Sequence, residues 1–188
     1  MALVILAHPN FQNSFANKII IEELLNSNMG IEVRNLFDLY PDYNIDVKAE
    51  QTALLEHTTI VFQYPFYWYN MPAILKQWFD VVFEYQFAYG SKGDKLKGKN
   101  FLASFTVGAP KNGYQTLGDH HFPILDFCKN IEQTAYYAKM NFIDPIYFHG
   151  TSTAAGYSAE EITRSAKEHS KRLILCLEEL NRELLTTL

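Results

Sequence analysis

The sequence predicts an α/β fold: a doubly wound, five-stranded parallel sheet with helices on both faces, for which 2-1-3-4-5 is one of the common strand orders and the one expected here. Three observations carry that expectation. Apolar runs of strand length alternate with longer helical periods five times along the 188 residues. Three of those runs, "ALVILA" (2–7), "TIVFQY" (59–64) and "NFLASFTV" (100–107), are almost solidly apolar, as strands covered on both faces must be. The run "IEVRNL" (31–36) alternates instead, as an edge strand does.

The elements follow in order. After the first strand, a helix is expected from near Ser14 through Ile19, Leu24 and Leu25 to Gly30. Residues 46–57 read as a short polar helix before the third strand. Asn70 and Pro72 open the next helix, whose stripe is Leu75, Trp78, Phe79, Val82 and Phe83. A helix over about 122–140 spaces Ile124, Cys128, Ile131, Ala135 and Ala138 for burial. "IYFHG" (146–150) is the fifth strand, with Pro145 at its start, where a missing N–H is tolerated. Ser158 and Glu161 form a capping-box pattern ahead of a long helix carrying Ile162, Ala166, Leu173, Leu177, Leu180 and Leu184. No internal repeat interrupts this order, and one domain over residues 1–188 is expected. The connection at 84–99, "EYQFAYGSKGDKLKGK", is long enough to suggest a functional or mobile loop.

Composition excludes several classes. Hydrophobic content of 48% and charged content of 20% are those of a soluble globular protein. A net charge of −5 without a basic block argues against a nucleic-acid surface. No run has the length of a membrane span, so membrane insertion is not expected. "MALVILAH" lacks the positive n-region of a signal peptide and leads into His-Pro-Asn rather than a cleavage site. Cys128 and Cys176 lie far apart in helical patterns, as core thiols of a reducing compartment would. A cytoplasmic location is the expectation.

In an open α/β sheet, ligands bind outside the carboxyl ends of the strands, where strand order reverses. In the order 2-1-3-4-5 that point lies between the first and third strands. The loops there are "AHPNFQNS" (7–14) and "QYPFYWYNMP" (63–72), with "TVGAPKNGY" (106–114) alongside. Ser14, Phe15, Ala16 and Asn17 open a helix whose free N–H groups suit an anion, and His8 could reach it. Taken alone, Ser14 is also an ordinary N-cap and His8 an ordinary strand-end residue. The second loop places Tyr64, Phe66, Tyr67, Trp68 and Tyr69 around Pro65. Such apolar faces beside backbone amides suit a planar ring with polar edges, although a hydrophobic plug or dimer patch would use the same residues. Gly108 permits close backbone approach. Phosphate plus flat ring points to a flavin nucleotide.

Other motifs fall short. No G-x-G-x-x-G follows the first strand, which disfavours a dinucleotide site and leaves Asp38 as a turn or cap residue. Gly108 to Gly113 has phosphate-loop spacing, but Tyr114 stands where lysine is required. Adjacent His120 and His121 do not have metal-ligand spacing, and no metal is expected.

The motifs "AHPNFQNSFANK" (7–18), "DLYPDYNID" (38–46), "QYPFYWYNMPAILKQWFD" (63–80), "FAYG" (87–90), "TVGA" (106–109) and "YQTLGDH" (114–120) identify a resemblance. The chain resembles the flavodoxin-like NAD(P)H:quinone oxidoreductases, the DT-diaphorase type. It is most similar to their short bacterial relatives, the general-stress oxidoreductases and the ancillary flavoprotein of potassium efflux systems. The resemblance implies that His8 and Ser14 to Asn17 hold the flavin phosphate. It implies that Pro65, Phe66, Tyr67 and Trp68, with Tyr69, lie along the ring, and that Thr106, Val107, Gly108 and Ala109 bind its polar edge. Tyr114 and His120 match a pair that stabilises charge on the reduced flavin, with His121 able to take the slot after a one-residue shift. Residues 84–90 match a segment that closes the neighbouring subunit's pocket in family homodimers. Where the family has Thr-Thr-Gly-Gly, this chain has Thr106-Val107-Gly108-Ala109.

The implied activity is a two-step, ping-pong hydride transfer from NAD(P)H through the flavin to a quinone or similar electrophile. FMN is the expected cofactor, with FAD the alternative, because the FAD-binding long forms carry extra C-terminal chain. Two rivals remain: a regulatory ancillary subunit of a potassium efflux transporter, and a flavodoxin-type electron carrier. The dispersed charge does not suggest the acidic docking face of such a carrier.

Overall fold

The computed structural model describes residues 1–186, with side chains through residue 183. Five parallel strands, β1 (Ala2–Leu6), β2 (Glu32–Asn35), β3 (Thr59–Pro65), β4 (Asn100–Val107) and β5 (Asn141–His149), form one sheet in the order β2-β1-β3-β4-β5. Chain order reverses between β1 and β3, as expected.

Alternate residues of β1 feed two cores. Leu3 and Ile5 join the cluster that holds Phe62, Trp78, Phe101 and Ile131. Val4 and Leu6 face Ile20, Leu24, Ile162, Leu173 and Leu177. The first core is roofed by α3 (Val47–Glu56), α4 (Ala73–Val82) and α5 (Lys129–Tyr137), the second by α1 (Phe15–Asn26) and α6 (Ala159–Thr186). Within the first core Phe62 lies 4.5 Å from the Phe101 ring and 5.7 Å from that of Trp78. The capping box forms as expected: Ser158 N–H donates to Glu161 Oε2 at 2.8 Å, and Glu161 N–H to Ser158 Oγ at 3.2 Å.

Several boundaries differ from expectation for identifiable reasons. The first helix stops at Asn26, because Asn28 at φ 58° turns the chain out before Gly30 is reached. A short helix, α2 (Leu36–Leu39), follows β2, and Asp38 accepts from Asn35 Nδ2 at 2.7 Å in its first turn. The helix expected over 122–140 is a 3-10 segment, Ile124–Cys128, continued by α5. Strand β5 starts five residues early, and Pro145 lies inside it, not at its start. There the pairing shifts from Leu102↔Ile143 to Ser104↔Ile146, one residue more on β5 than on β4. A bulge on an edge strand needs no N–H from proline. Cys128 is buried as expected, whereas Cys176 is only half-buried. Leu184 lies outside the described side chains.

The helix read as polar hides a charge. Glu50 of α3 is fully buried and accepts from Arg34 Nε and Nη2 at 2.8 and 2.6 Å, Tyr40 OH at 2.6 Å and Trp78 Nε1 at 2.8 Å. It clamps β2, α3 and α4 together. The 84–99 connection is also tied down, with Ala88 and Leu96 in the core and Lys95 N–H bonded to Phe87 carbonyl at 3.1 Å. Among the described residues no helix is long and apolar enough to cross a membrane.

Candidate functional site

A cleft of about 720 Å³ opens at the carboxyl ends of the strands. Its floor is the start of α1. A 3-10 turn, Phe11–Asn13, delivers the chain to Ser14, whose Oγ accepts from Asn17 N–H at 3.0 Å. The Phe15 and Ala16 N–H groups come too early in the helix to have an acceptor within it. They and Ser14 line the cleft, as does His8. His8 Nδ1 accepts from Asn10 N–H at 3.1 Å, so a neutral His8 ring carries its hydrogen on Nε2. Burial lowers the His8 pKa, which favours the neutral ring.

The aromatic wall follows from the way β3 ends. Pro65 still pairs with Thr106, and Phe66 N–H donates to Thr106 carbonyl at 2.8 Å. The chain then reverses in two residues. Tyr67 N–H donates to Asn70 carbonyl at 2.8 Å and Asn70 N–H to Tyr67 carbonyl at 2.9 Å, with Trp68 at φ 46° and Tyr69 at φ 63°. Left-handed backbone at two successive aromatic residues is unfavourable, and such strain gathers at functional sites. It leaves Trp68 92% exposed at the rim. Tyr69 stacks on Phe127 at 5.0 Å, and Phe66 stacks on Phe105 at 5.5 Å. Tyr64, by contrast, is buried against Phe105 and belongs to the core.

The third side combines β4's exit with the loop beyond it. Thr106, Gly108 and Ala109 line the cleft, and a Cβ on Gly108 would stand 3.4 Å from Ser152 Cβ. Val107 turns its side chain into the core and does not line the cleft; its carbonyl accepts from Thr151 N–H at 3.2 Å. Tyr114 and His120 both face the cleft, with rings stacked at 4.2 Å and 16°. Tyr69 OH lies 3.3 Å from His120 Nδ1. Burial, then the nearby Tyr69, raises the Tyr114 pKa. His121 packs against Phe122 and does not line the cleft. Gly118 makes the loop possible. A Cβ there would lie 2.4 Å from Gly113 carbonyl oxygen, against which the chain folds back so that His120 N–H donates to it at 3.0 Å.

The model of a family described by its flavodoxin-like fold matches residues 1–173. The chain belongs to this family. Among flavodoxin-like relatives, the uncharacterized NAD(P)H oxidoreductase YdeQ of Bacillus subtilis (strain 168) is 38% identical over 171 residues, 91% of this chain and 85% of that protein. The glutathione-regulated potassium-efflux system ancillary protein KefF of Klebsiella aerogenes is 36% identical over 174 residues, 93% and 95% of the two chains. The crystal structure of general stress protein 14 from Treponema denticola, in complex with FMN, superposes with a TM-score of 0.84 at 35% identity, covering 94% and 98%.

The flavodoxin-like cleft thus brings together all the expected positions except Val107. It also contains residues the sequence reading passed over. Thr151, Ser152 and Thr153, at the exit of β5, close its far side, and Asn10 and Asn13 border the first loop. A signal for the former existed: the carboxyl end of the fifth strand lies on the same edge as the other loops, and "TST" follows it. His149, at the end of β5, also reaches this group, its ring 5.2 Å from that of Tyr114.

Proposed function

We propose that this chain is an FMN-dependent NAD(P)H oxidoreductase that passes a hydride to a quinone or a similar electrophile. The observation that carries the reading is a single cleft with an anion-ready helix start on one side and an aromatic wall on the other. Its volume is in the range of cofactor sites. The donor set fits a phosphate: Phe15 and Ala16 N–H, the Ser14 hydroxyl and His8 Nε2–H. The ring would lie along Pro65, Phe66, Tyr67, Trp68 and Tyr69, with Thr106, Gly108 and Ala109 at its polar edge. When bound, FMN supplies hydride acceptance and donation. The residues of the chain then hold and orient it. Tyr114 and His120 place polar atoms where the ring's edge gains negative charge. NAD(P)H and the acceptor take the same open face in turn, which makes the reaction ping-pong. FMN is preferred to FAD, in keeping with the FMN complex of general stress protein 14.

A homodimer belongs to this reading. The 84–90 segment follows α4 at the amino ends of the strands, opposite the cleft of its own chain. Any contribution to a cleft is therefore to that of a second copy. The likeness to the potassium-efflux ancillary protein favours a second reading, in which the same flavin site regulates a membrane transporter. Co-purification with such a transporter would support it.

The test is direct. Protein purified from cytoplasmic extract is expected to be yellow, to release FMN on denaturation, and to lose its visible absorbance under NADPH without oxygen until a quinone is added. A colourless protein that takes up neither FMN nor FAD would overturn the reading.

A further inference from the structure

A continuous chain of hydrogen bonds runs from the cleft into the core below β3 and β4. It begins at His169 of α6, whose Nε2 lies 2.7 Å from Ser104 Oγ. Ser104 Oγ donates to Gln63 Oε1 at 2.6 Å, and Gln63 Nε2 donates to Asn17 Oδ1 at 2.8 Å. Asn17 Nδ2 then donates to both Ser14 Oγ and Thr106 Oγ1 at 3.2 Å. Asn17, Gln63, Ser104, Thr106 and His169 are all buried.

The far end sets the direction. His169 Nδ1 is buried without a partner. A hydrogen on it would be an orphaned buried donor, which native structures tolerate less readily than a bare lone pair. The hydrogen of the neutral ring therefore sits on Nε2 and points at Ser104. Burial, with Arg172 adding to it, pushes the ring's pKa down to about 3 and keeps it neutral. Ser104, having accepted, gives its own hydrogen to Gln63 Oε1. Each later link then has one direction only. Ser14 Oγ accepts from Asn17 Nδ2 and from Asn17 N–H at 3.0 Å, so both lone pairs are used. Its hydrogen, and that of Thr106, are left for the cleft that both residues line.

We infer that Gln63, Ser104 and His169 are positioning residues that turn the Ser14 and Thr106 hydroxyls into donors aimed at the cleft. With no lone pair left on Ser14 Oγ, this end of the site favours a phosphate dianion, which only accepts, over an alcohol, whose hydrogen Ser14 cannot take. The inference rests on the flavin reading above and deepens it: FMN is preferred to riboflavin because of a relay that touches neither.

The experiment compares affinities for FMN and riboflavin by quenching of flavin fluorescence in apoprotein. Wild type is expected to favour FMN. Ser104→Ala, which cuts the relay, is expected to weaken FMN binding about tenfold, the worth of roughly one hydrogen bond, and to leave riboflavin binding within about twofold. Ser104→Thr, which keeps the hydroxyl, is expected to restore the preference. Equal losses for both ligands, or no loss, would overturn the positioning role while leaving the flavin reading standing. Wild type that binds neither flavin overturns both. Long-range 15N–1H NMR of wild type reads the His169 tautomer whatever the variants do: Nε2–H is expected, and Nδ1–H would reverse every link and overturn the inference.

Discussion

Tyr114 and His120 stack face to face, 4.2 Å apart and 16° from parallel, with Tyr69 OH 3.3 Å from the outer edge of the imidazole at Nδ1. Three residues from two loops thus share one polar edge of the cleft. If that edge meets the ring where charge develops, His120→Ala should make the bound flavin harder to reduce. Loss of one hydrogen bond to a charged group, ~1.5–3 kcal/mol, corresponds to a two-electron potential more negative by roughly 30–60 mV. Spectroelectrochemical titration measures it. Gly118→Ala should lower the potential in the same direction, since a Cβ 2.4 Å from Gly113 carbonyl oxygen must move the loop that carries His120. In the double variant the two effects should not add. An unshifted potential in His120→Ala removes His120 from this role.

The left-handed turn at Trp68 is a stability cost held for another purpose. Trp68 is almost fully exposed, so its side chain contributes little burial. Asparagine, which tolerates positive φ, should relieve strain at φ 46°. Trp68→Asn is expected to stabilise the apoprotein by about 1 kcal/mol in chemical denaturation and to weaken flavin binding. Lower stability would mean that Trp68 packs in the chain to an extent its exposure does not suggest.

Glu50 does not line the cleft but holds four donors at full burial. Glu50→Ala leaves Arg34 with only its 3.4 Å contact to the half-exposed Glu32, and breaking a buried pair in this way costs about 3–5 kcal/mol. Urea unfolding is the measurement, with Trp78 fluorescence as the reporter because its Nε1–H loses its acceptor. A loss below about 1 kcal/mol would show that the clamp can be replaced by water.

His169 imposes a pH dependence on stability. Its folded pKa, about 3, lies below the unfolded value of 6.5. Between those values the unfolded chain takes up a proton that the native chain refuses, so stability falls as pH falls. The histidine's share should be about 2 kcal/mol between pH 7 and pH 5. It is read as the difference in slope between wild type and His169→Phe. Parallel slopes would mean that the native ring protonates at little cost.

Much of the architecture was legible in the sequence because it is local or periodic. Solid apolar runs marked β1, β3 and β4, stripes at helical spacing marked α4 and α6, and Ser158 with Glu161 marked the start of α6. The switch-point rule then brought residues 7–17, 63–72 and 106–114 to one edge, because parallel strands all end there. Errors fell at boundaries, where one residue decides: Asn28 at positive φ ended α1, and a bulge drew Pro145 inside β5.

By itself the sequence determined the parallel α/β class and the two-sided core, since hydrophobic periodicity suffices for these; the strand order, and with it which loops meet, came from the family resemblance. Only the tertiary structure decided which side chains use that meeting place. Val107 ends β4 and Ala109 follows two residues on, yet one points into the core and the other lines the cleft. His120 and not His121 stacks on Tyr114, because the fold-back at Gly118 sets the phase. The line from Asn17 through Gln63 and Ser104 to His169 joins four segments far apart in the chain. Burial and hydrogen-bond direction, which arise only when those segments pack, make it a line at all.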